Sequence, residues 1–351
     1  MSFKKSINNL RRNLMRGLTG GIGQSTKNKE GKWEDRLKIK RILVTRPNSR
    51  LGNQILITPL VCELSEMFPN AKIDLFVRGG LSNIIFQNYE SVDRIISLPR
   101  KPFKELWAYT KVWISLRRYR FDLVFNMDRE SASGRLSTQI ANGEYKFFNL
   151  EDKKLEAQFE DYVHMAKFPI YNLRNYLHTR GVEGMIKPIP DISMKLSDEE
   201  LQDGRRVLED YLKDKTKPTI AIYTYATGNK CYPPQWWLPL YEKMVAQLGD
   251  DYNIFEVLPV ENVSQVEFKA PAYYSKDIRE ISAVIANCDV FIGADSGIMH
   301  LASASGTPTL GLFSVTNVEQ YKPYNKGSRA IVTTTTTHDQ IVAAISSALK
   351  G

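Results

Sequence analysis

Asp295, Ser296 and Gly297, with His300 one helical turn further on, are polar residues set between two apolar runs. Their types and spacing fit the binding of an anion. Residues 290–293 form a short apolar run of strand type, and residues 299–305 continue in small, helix-tolerant side chains. Gly306, Thr307 and Pro308 end that helix, and residues 309–313 read as a second buried strand. Asp295 and Ser296 are expected to cap the helix. Backbone N–H groups of its first turn would then point out beyond the strand edge, where the helix dipole favours a phosphate. Gly297 is expected to take a positive φ at the turn. The same strand–turn–helix also occurs in α/β proteins that hold no nucleotide, and a lone histidine on such a helix can be a core residue. On these residues alone, a phosphate site and a plain structural turn both stay open.

The chain of 351 residues is long enough for about two domains, and its 42% apolar content supports real cores. Cys62, Cys231 and Cys288 are odd in number and widely spaced, which reads as reduced thiols rather than a disulfide frame or a zinc site. No run of eighteen apolar residues occurs, so no membrane span is expected. The N-terminal stretch lacks the apolar segment of a secretory signal. The net charge of +9 is concentrated: residues 1–41 hold twelve Lys or Arg against three acids, and the rest balances 36 of each sign. A neutral body argues against nucleic acid as partner, and the basic arm points to an anionic one.

The arm has a pattern of its own. Phe3, Ile7, Leu10, Leu14 and Leu18 recur at helical spacing, with Lys4, Lys5, Arg11, Arg12 and Arg16 largely off that stripe. Such a basic amphipathic helix over residues 1–20 fits an anionic membrane surface, and it fits docking on its own protein as well. A Gly-rich and polar linker follows, to about residue 38. Residues 39–190 then alternate strands at 42–45, 72–77, 92–98, 122–127 and 145–148 with helices at 52–68 and 102–120. Pro59 is expected to kink the first of these helices or force a tight first turn. Residues 155–167 and 171–180 read as further helices, and Ser197 with Glu200 reads as a capping box. Residues 191–351 repeat the strand–helix alternation. The expectation is two α/β units with mostly parallel sheets, whose strand ends face a shared cleft.

The segment DSGIMHLASASGTPTLGLF, residues 295–313, resembles the signature of glycosyltransferase family nine, the ADP-heptose:lipopolysaccharide heptosyltransferases and their relatives. Asp295, Ser296, Gly297, His300, Leu301, Ala302, Gly306, Pro308, Thr309, Leu312 and Phe313 meet its fixed positions. A second match is RPNSRLGNQILITPL, residues 46–60, through Gly52, Thr58, Pro59 and Leu60. A third is the loop TGNKC, residues 227–231, followed by Pro233, Pro234, Trp236 and Trp237. The resemblance implies the GT-B fold, two Rossmann-like domains facing across a cleft. The acceptor would lie on residues 39–190 and the nucleotide-sugar donor on residues 191–351.

The resemblance also implies roles. Asp295, Ser296, Gly297 and His300 would bind the donor, with Glu261 near its ribose or sugar, and Lys230 would neutralise the departing phosphate. Arg50, Asn53 and Arg135 would contact the acceptor. Asn53 stands where the family carries an aspartate regarded as the base, and an amide has no lone pair basic enough for that task. Asp128, expected at the end of the fourth strand, is the first candidate for a substitute base and Glu130 the next, with Asp128 as a plain helix cap the competing reading; the loop 128–135 around it reads as polar and flexible. No Asp-x-Asp pair stands in a convincing strand-end position, which suits transfer without a metal or other cofactor. The expected activity is inverting transfer of a sugar, heptose by resemblance to the ADP-heptose enzymes, to a lipopolysaccharide-core or related glycolipid acceptor. The protein would act in the cytoplasm, on the inner face of the membrane, with the basic arm and the Trp-bearing helix 102–120 holding it there. Two other readings stay open. One is a nucleotide-sugar-binding protein impaired by Asn53; the other is a GT-B transferase with a different donor. A nicotinamide oxidoreductase is disfavoured, because no Gly-x-Gly-x-x-Gly follows the first strand.

Overall fold

The structure, a computed structural model, describes residues 38–100, 105–179, 181 and 187–350. The amphipathic arm and its linker therefore lie outside the described residues, apart from residue 38 itself. In chain order the first half runs β1 (Arg41–Thr45), α1 (Leu51–Ile55), α2 (Thr58–Met67), β2 (Lys72–Arg78), α3 (Leu81–Ile85), β3 (Val92–Leu98), α4 (Leu106–Arg118), β4 (Arg120–Asn126), α5 (Ala132–Ile140) and β5 (Asn142–Phe147). Three helices follow: α6 (Lys153–Gln158), α7 (Phe168–His178) and α8 (Asp198–Glu209). The second half runs β6 (Thr219–Tyr223), α9 (Pro234–Leu248), β7 (Asn253–Val257), β8 (Ala272–Tyr273), α10 (Ile278–Ala286), β9 (Val290–Ala294), α11 (Gly297–Ala304), β10 (Thr309–Phe313), α12 (Val318–Tyr321), β11 (Arg329–Val332) and α13 (His338–Leu349).

Both sheets are parallel throughout. The first has the order β3-β2-β1-β4-β5, the second β11-β10-β9-β6-β7-β8. In each, the chain builds outward in one direction and then returns to the first strand to build the other way. The reversal lies between β1 and β4 in the first sheet and between β6 and β9 in the second. Ligands of open α/β sheets settle beyond the strand ends at such reversals. Register places Thr45 beside Asn126 and Tyr223 beside Gly293. The residues that follow these four emerge together at the two crevices.

Several local rules explain the elements. Pro59 does more than kink the first helix: the chain turns at Leu56–Ile57 and starts α2 afresh, with proline in its first turn, where a missing N–H costs nothing. The helix expected over 155–167 stops at Gln158. Beyond it Tyr162 accepts from the Asp152 amide and donates to Asn172 Oδ1, both at 2.8 Å, while Asp161 takes the Tyr171 hydroxyl at 2.7 Å and the Lys167 ammonium at 2.6 Å. Side-chain bonds hold that stretch in turns, satisfying groups a helix would otherwise satisfy. The capping box of α8 is present as expected.

One apolar layer spans both halves. It includes Leu60, Ile170 and Leu173 of the first and Leu208, Ile281, Val284 and Leu301 of the second, all buried. Gly204 of α8 lies so close to α10 that a Cβ there would stand 2.4 Å from the Ala283 backbone. Arg279 ties the halves together. Its Nη1 donates to the carbonyls of Ile84 (3.1 Å) and Met194 (3.2 Å), its Nη2 to Lys195 O (3.3 Å) and Glu200 Oε2 (2.8 Å), and its Nε to Glu200 Oε1. That guanidinium, helped by the Ser197 amide and Asn88, holds the Glu200 carboxyl down to about 2. The junction is thus charged and saturated, which fixes how the two crevices face each other.

Candidate active site

The second sheet supplies the half that holds Lys230 and the start of α11. Ser296 is the N-cap of α11 and its hydroxyl accepts from the Met299 amide at 3.2 Å. The Gly297 and Ile298 amides have no carbonyl one turn earlier inside the helix to accept from them, and Leu51 and Gly52 pack against this mouth. Asp295 is not a cap. Its amide donates to Leu312 O at 3.0 Å, and its carboxylate, only 5% exposed, receives the Lys230 ammonium at 2.5 Å. Lys230 comes from the 3-10 turn Gly228–Lys230 in the loop after β6 and is itself 36% exposed. The sequence expectation of paired caps is therefore half met, since Asp295 serves to hold Lys230.

Gly297 is needed for space and not for a positive φ. It sits within α11, and a Cβ on it would approach Leu51 Cβ to 3.0 Å and Gly52 N to 3.3 Å. Across the cleft, a Cβ on Gly52 would lie 2.6 Å from the His300 ring. Two glycines thus let the starts of α1 and α11 meet, and both helix dipoles point their positive ends toward one region. Gly52→Ala forces the buried His300 ring aside. We expect donor affinity at least about tenfold weaker with the two-state unfolding of the protein still intact, as titration calorimetry and a thermal melt would show.

His300 is buried and its Nδ1 has no hydrogen-bond partner among the described residues. Burial pushes its pKa down to about 4; Asp295 opposes this, while Lys230 and Arg46 add to it. The ring is therefore neutral at pH 7, and its unmet nitrogen faces a region already rich in cations. His164 is similarly buried and lowered to about 3. It accepts from the Ala166 amide through Nδ1 and so donates through Nε2 to Lys322 O at 2.9 Å. For both histidines the folded-state value lies below the unfolded one of about 6.5, so the unfolded chain binds the proton first. Stability is full above pH 6.5 and falls as pH drops, by about 1.4 kcal/mol per pH unit for each histidine, down to about pH 4 for His300 and 3 for His164. Urea melts between pH 7.5 and 5 should show this slope, and His300→Gln should reduce it.

The first sheet supplies the other half. Arg46 follows β1 and is 1% exposed. Its Nη2 donates to Asn53 Oδ1 at 3.1 Å and its Nη1 to Met127 Sδ at 3.5 Å, while its Nε is buried without a partner among the described residues. Because arginine only donates, Asn53 must turn its oxygen toward Arg46 and its NH2 group away from it. Burial lowers the Arg46 pKa, and the Asp128 charge opposes that, so the two groups lie within electrostatic reach. Asp128, two residues past β4, accepts the Glu130 amide on Oδ1 at 3.0 Å.

Tyr321 of α12 closes the ring. Burial raises its pKa, and Arg46, Asp128, Asp295 and Arg50 all act on it electrostatically, in that order. One phenol from the second half thus senses charges from both. Arg46 and Tyr321 are the residues that sequence reasoning leaves out of the site. Arg46 is visible as the first residue past a strand at the reversal point, whereas Tyr321 sits on a four-residue helix with no periodic signal.

The other expected residues are more dispersed. Arg50 is exposed and is the N-cap residue of α1. Glu261 is exposed on the loop after β7 and acts on Tyr223 at the end of β6. That loop is anchored by the buried Glu256, which takes the hydroxyls of Thr224 (2.6 Å) and Ser264 (2.7 Å). Arg135 departs from expectation. The stretch 132–140 is the helix α5 and not a flexible loop, and Arg135 is buried with Nη1 on the Arg129 carbonyl, so it braces the Asp128 segment from behind.

Two parallel sheets, with Lys230 and the α11 mouth at the strand ends of one and Asp128 at those of the other, form the GT-B arrangement. A family model described as Glycosyltransferase family 9 (heptosyltransferase) matches residues 275–346. The chain is 20% identical to lipopolysaccharide core heptosyltransferase OpsX of Haemophilus influenzae over 79% of its own length and 80% of the relative. It is 22% identical to lipopolysaccharide heptosyltransferase 3 of Escherichia coli, over 78% and 84%. Among solved structures, the family 9 glycosyl transferase of Veillonella parvula superposes with a TM-score of 0.70 at 17% identity, covering 90% of this chain and 99% of that one. E. coli heptosyltransferase WaaC with ADP gives 0.63 at 15%, covering 88% and 99%. The chain is a heptosyltransferase-like glycosyltransferase, similar in sequence and fold to family 9 members.

Proposed function

We propose that this protein transfers a heptose from a nucleoside diphosphate donor, ADP-heptose, to a saccharide of lipopolysaccharide-core type, with inversion and without a metal ion. The relatives named as lipopolysaccharide heptosyltransferases support the substrate class. The observation that carries the mechanism is the meeting of Lys230 and the α11 mouth with Arg46, Asn53 and Asp128 across the Gly52–Gly297 contact. The diphosphate lies on the Gly297 and Ile298 amides and the Ser296 side of α11. Glu261 faces the ribose or sugar. Arg50 and the Asn53 NH2 group orient the acceptor. Asp128 takes the proton from the acceptor hydroxyl, whose oxygen attacks the anomeric carbon as the nucleoside diphosphate leaves from the opposite face. The charge growing on the leaving phosphate is met by Lys230 and the helix dipole.

A panel of ADP-, UDP- and GDP-sugars, offered with and without a glycolipid acceptor, tests the reading. Turnover with ADP-heptose is the expected result; nucleotide binding with no transfer from any donor would instead favour an impaired binding protein. Asn53→Asp separates the two further. With Asp128 as base, the new carboxylate pairs with Arg46 and turnover changes by less than about threefold. A gain of about 10²–10⁴-fold in kcat would show that the base was lost at position 53.

No helix among the described residues is long and apolar enough to cross a membrane. We place the protein in the cytoplasm on the inner membrane face, with residues 1–20 as a basic amphipathic contact, because the whole excess charge of the chain lies in residues 1–41.

A further inference from the structure

α4 is apolar on its inner side and carries large apolar side chains among cations on its outer one. Its inner side, Tyr109, Val112, Trp113 and Leu116, packs on the cluster of Leu43, Phe76, Leu98, Phe121 and Val124. Spacing of i, i+4, i+7 and i+11 then puts Trp107, Lys111, Ile114 and Arg118 on the outward ridge. Trp107 is 81% exposed, Leu106 beside it 63% and Ile114 49%. A tryptophan left that open on a helix already buried along its other side is costly in water and has no use in the core.

The charges around it are of one sign. Residues 105–120 hold Lys111, Arg117, Arg118 and Arg120 against Glu105 alone. Arg117 also stands near enough to Lys146 on β5 to add to the burial that lowers that lysine. Cations ring the apolar ridge, in the arrangement of interfacial helices that sit among anionic headgroups with their apolar side chains at the acyl boundary. We propose that the outward face of α4 docks on an anionic lipid bilayer, with Leu106, Trp107 and Ile114 entering the interface and Lys111, Arg117 and Arg118 meeting lipid phosphates. This deepens the membrane placement proposed above, to which it adds a contact beside the arm, and its test does not depend on the transfer reaction.

The test is partition of the full chain onto vesicles of phosphatidylcholine, with and without one third phosphatidylglycerol. Trp107→Ser with Ile114→Ser should weaken binding to the anionic vesicles about tenfold or more. Lys111→Gln with Arg118→Gln should weaken it by a similar factor there and leave the phosphatidylcholine vesicles unaffected. Both pairs project from an exposed ridge, so the thermal midpoint should stay unchanged. Brominated lipid should quench wild-type emission, and Trp107→Phe should bind normally while losing that quenching. Unaltered partition of Trp107→Ser/Ile114→Ser, with all binding lost on deleting residues 1–20, would assign the contact to the arm and overturn the proposal. So would a dimer in solution that Ile114→Ser dissociates, because the face would then belong to a second copy.

Discussion

Asp128→Asn lowers kcat by about 10²–10⁴-fold while the donor KM stays within about threefold of wild type. The asymmetry follows from the architecture. Asp128 leaves β4 on the first sheet, and the proposed donor contacts come from the second sheet. The substitution is nearly isosteric, and the amide oxygen can still accept from Glu130 N, the 3.0 Å bond that shapes the turn. What it removes is proton affinity, so a drop in kcat alone identifies a base. Steady-state kinetics with both substrates varied provides the measurement. Unchanged kcat would remove Asp128 from the chemistry, and a rise in acceptor KM alone would make it a binding residue.

Lys230→Met is the second large effect. Loss of a cation positioned on a leaving phosphate costs about 10²–10³-fold in kcat. The same change strips Asp295, 5% exposed, of its 2.5 Å partner, so the single variant also loses stability. The two consequences separate in the double variant Lys230→Met/Asp295→Asn. There the stranded carboxylate is gone and the thermal midpoint recovers, whereas the rate does not. Recovery of the rate as well would show that Lys230 only neutralises Asp295. Lys230→Arg keeps the charge and should fall between wild type and Lys230→Met.

Much of the frame is legible in the order of the residues. The strands 92–98 and 309–313 stand where the apolar runs place them, and the α11 segment is recognisable because strand, Ser cap, small-residue helix and Gly-Thr-Pro stop agree with one another. Three kinds of feature are not legible there. Short elements such as α3, with five residues, and α12, with four, are too brief for helical periodicity to declare them. Segments held by side-chain bonds, such as the turns after α6, carry helix-like composition without being helical. The polar run Ser131-Ala132-Ser133-Gly134 reads as loop, yet it is a helix start. Ser131 accepts the Gly134 amide, and Gly134 lets the helix approach Asn126 so closely that a Cβ would stand 2.5 Å from its Oδ1. That contact is a matter of tertiary distance, which spacing along the chain does not encode.

The site divides in the same way. Asp295, Ser296, Gly297 and His300 can be grouped from one stretch of sequence, but the pairing of Asp295 with Lys230, 65 residues away, cannot. Nor can the orientation of Asn53 by Arg46, which leaves the Asn53 NH2 group free to turn away as a donor. Gly297 stands out in the sequence for a backbone freedom it does not use. Its small size against Leu51 and Gly52 is what the two-sheet arrangement requires.

The most direct measurement is a crystal structure of the protein with ADP bound. The account predicts a phosphate within about 3 Å of the Gly297 and Ile298 amides, with Lys230 Nζ turned onto its oxygens and Asp128 on the open side across the cleft. Nucleotide bound away from α11, with Leu51 and Gly52 still packed over its mouth, would contradict it.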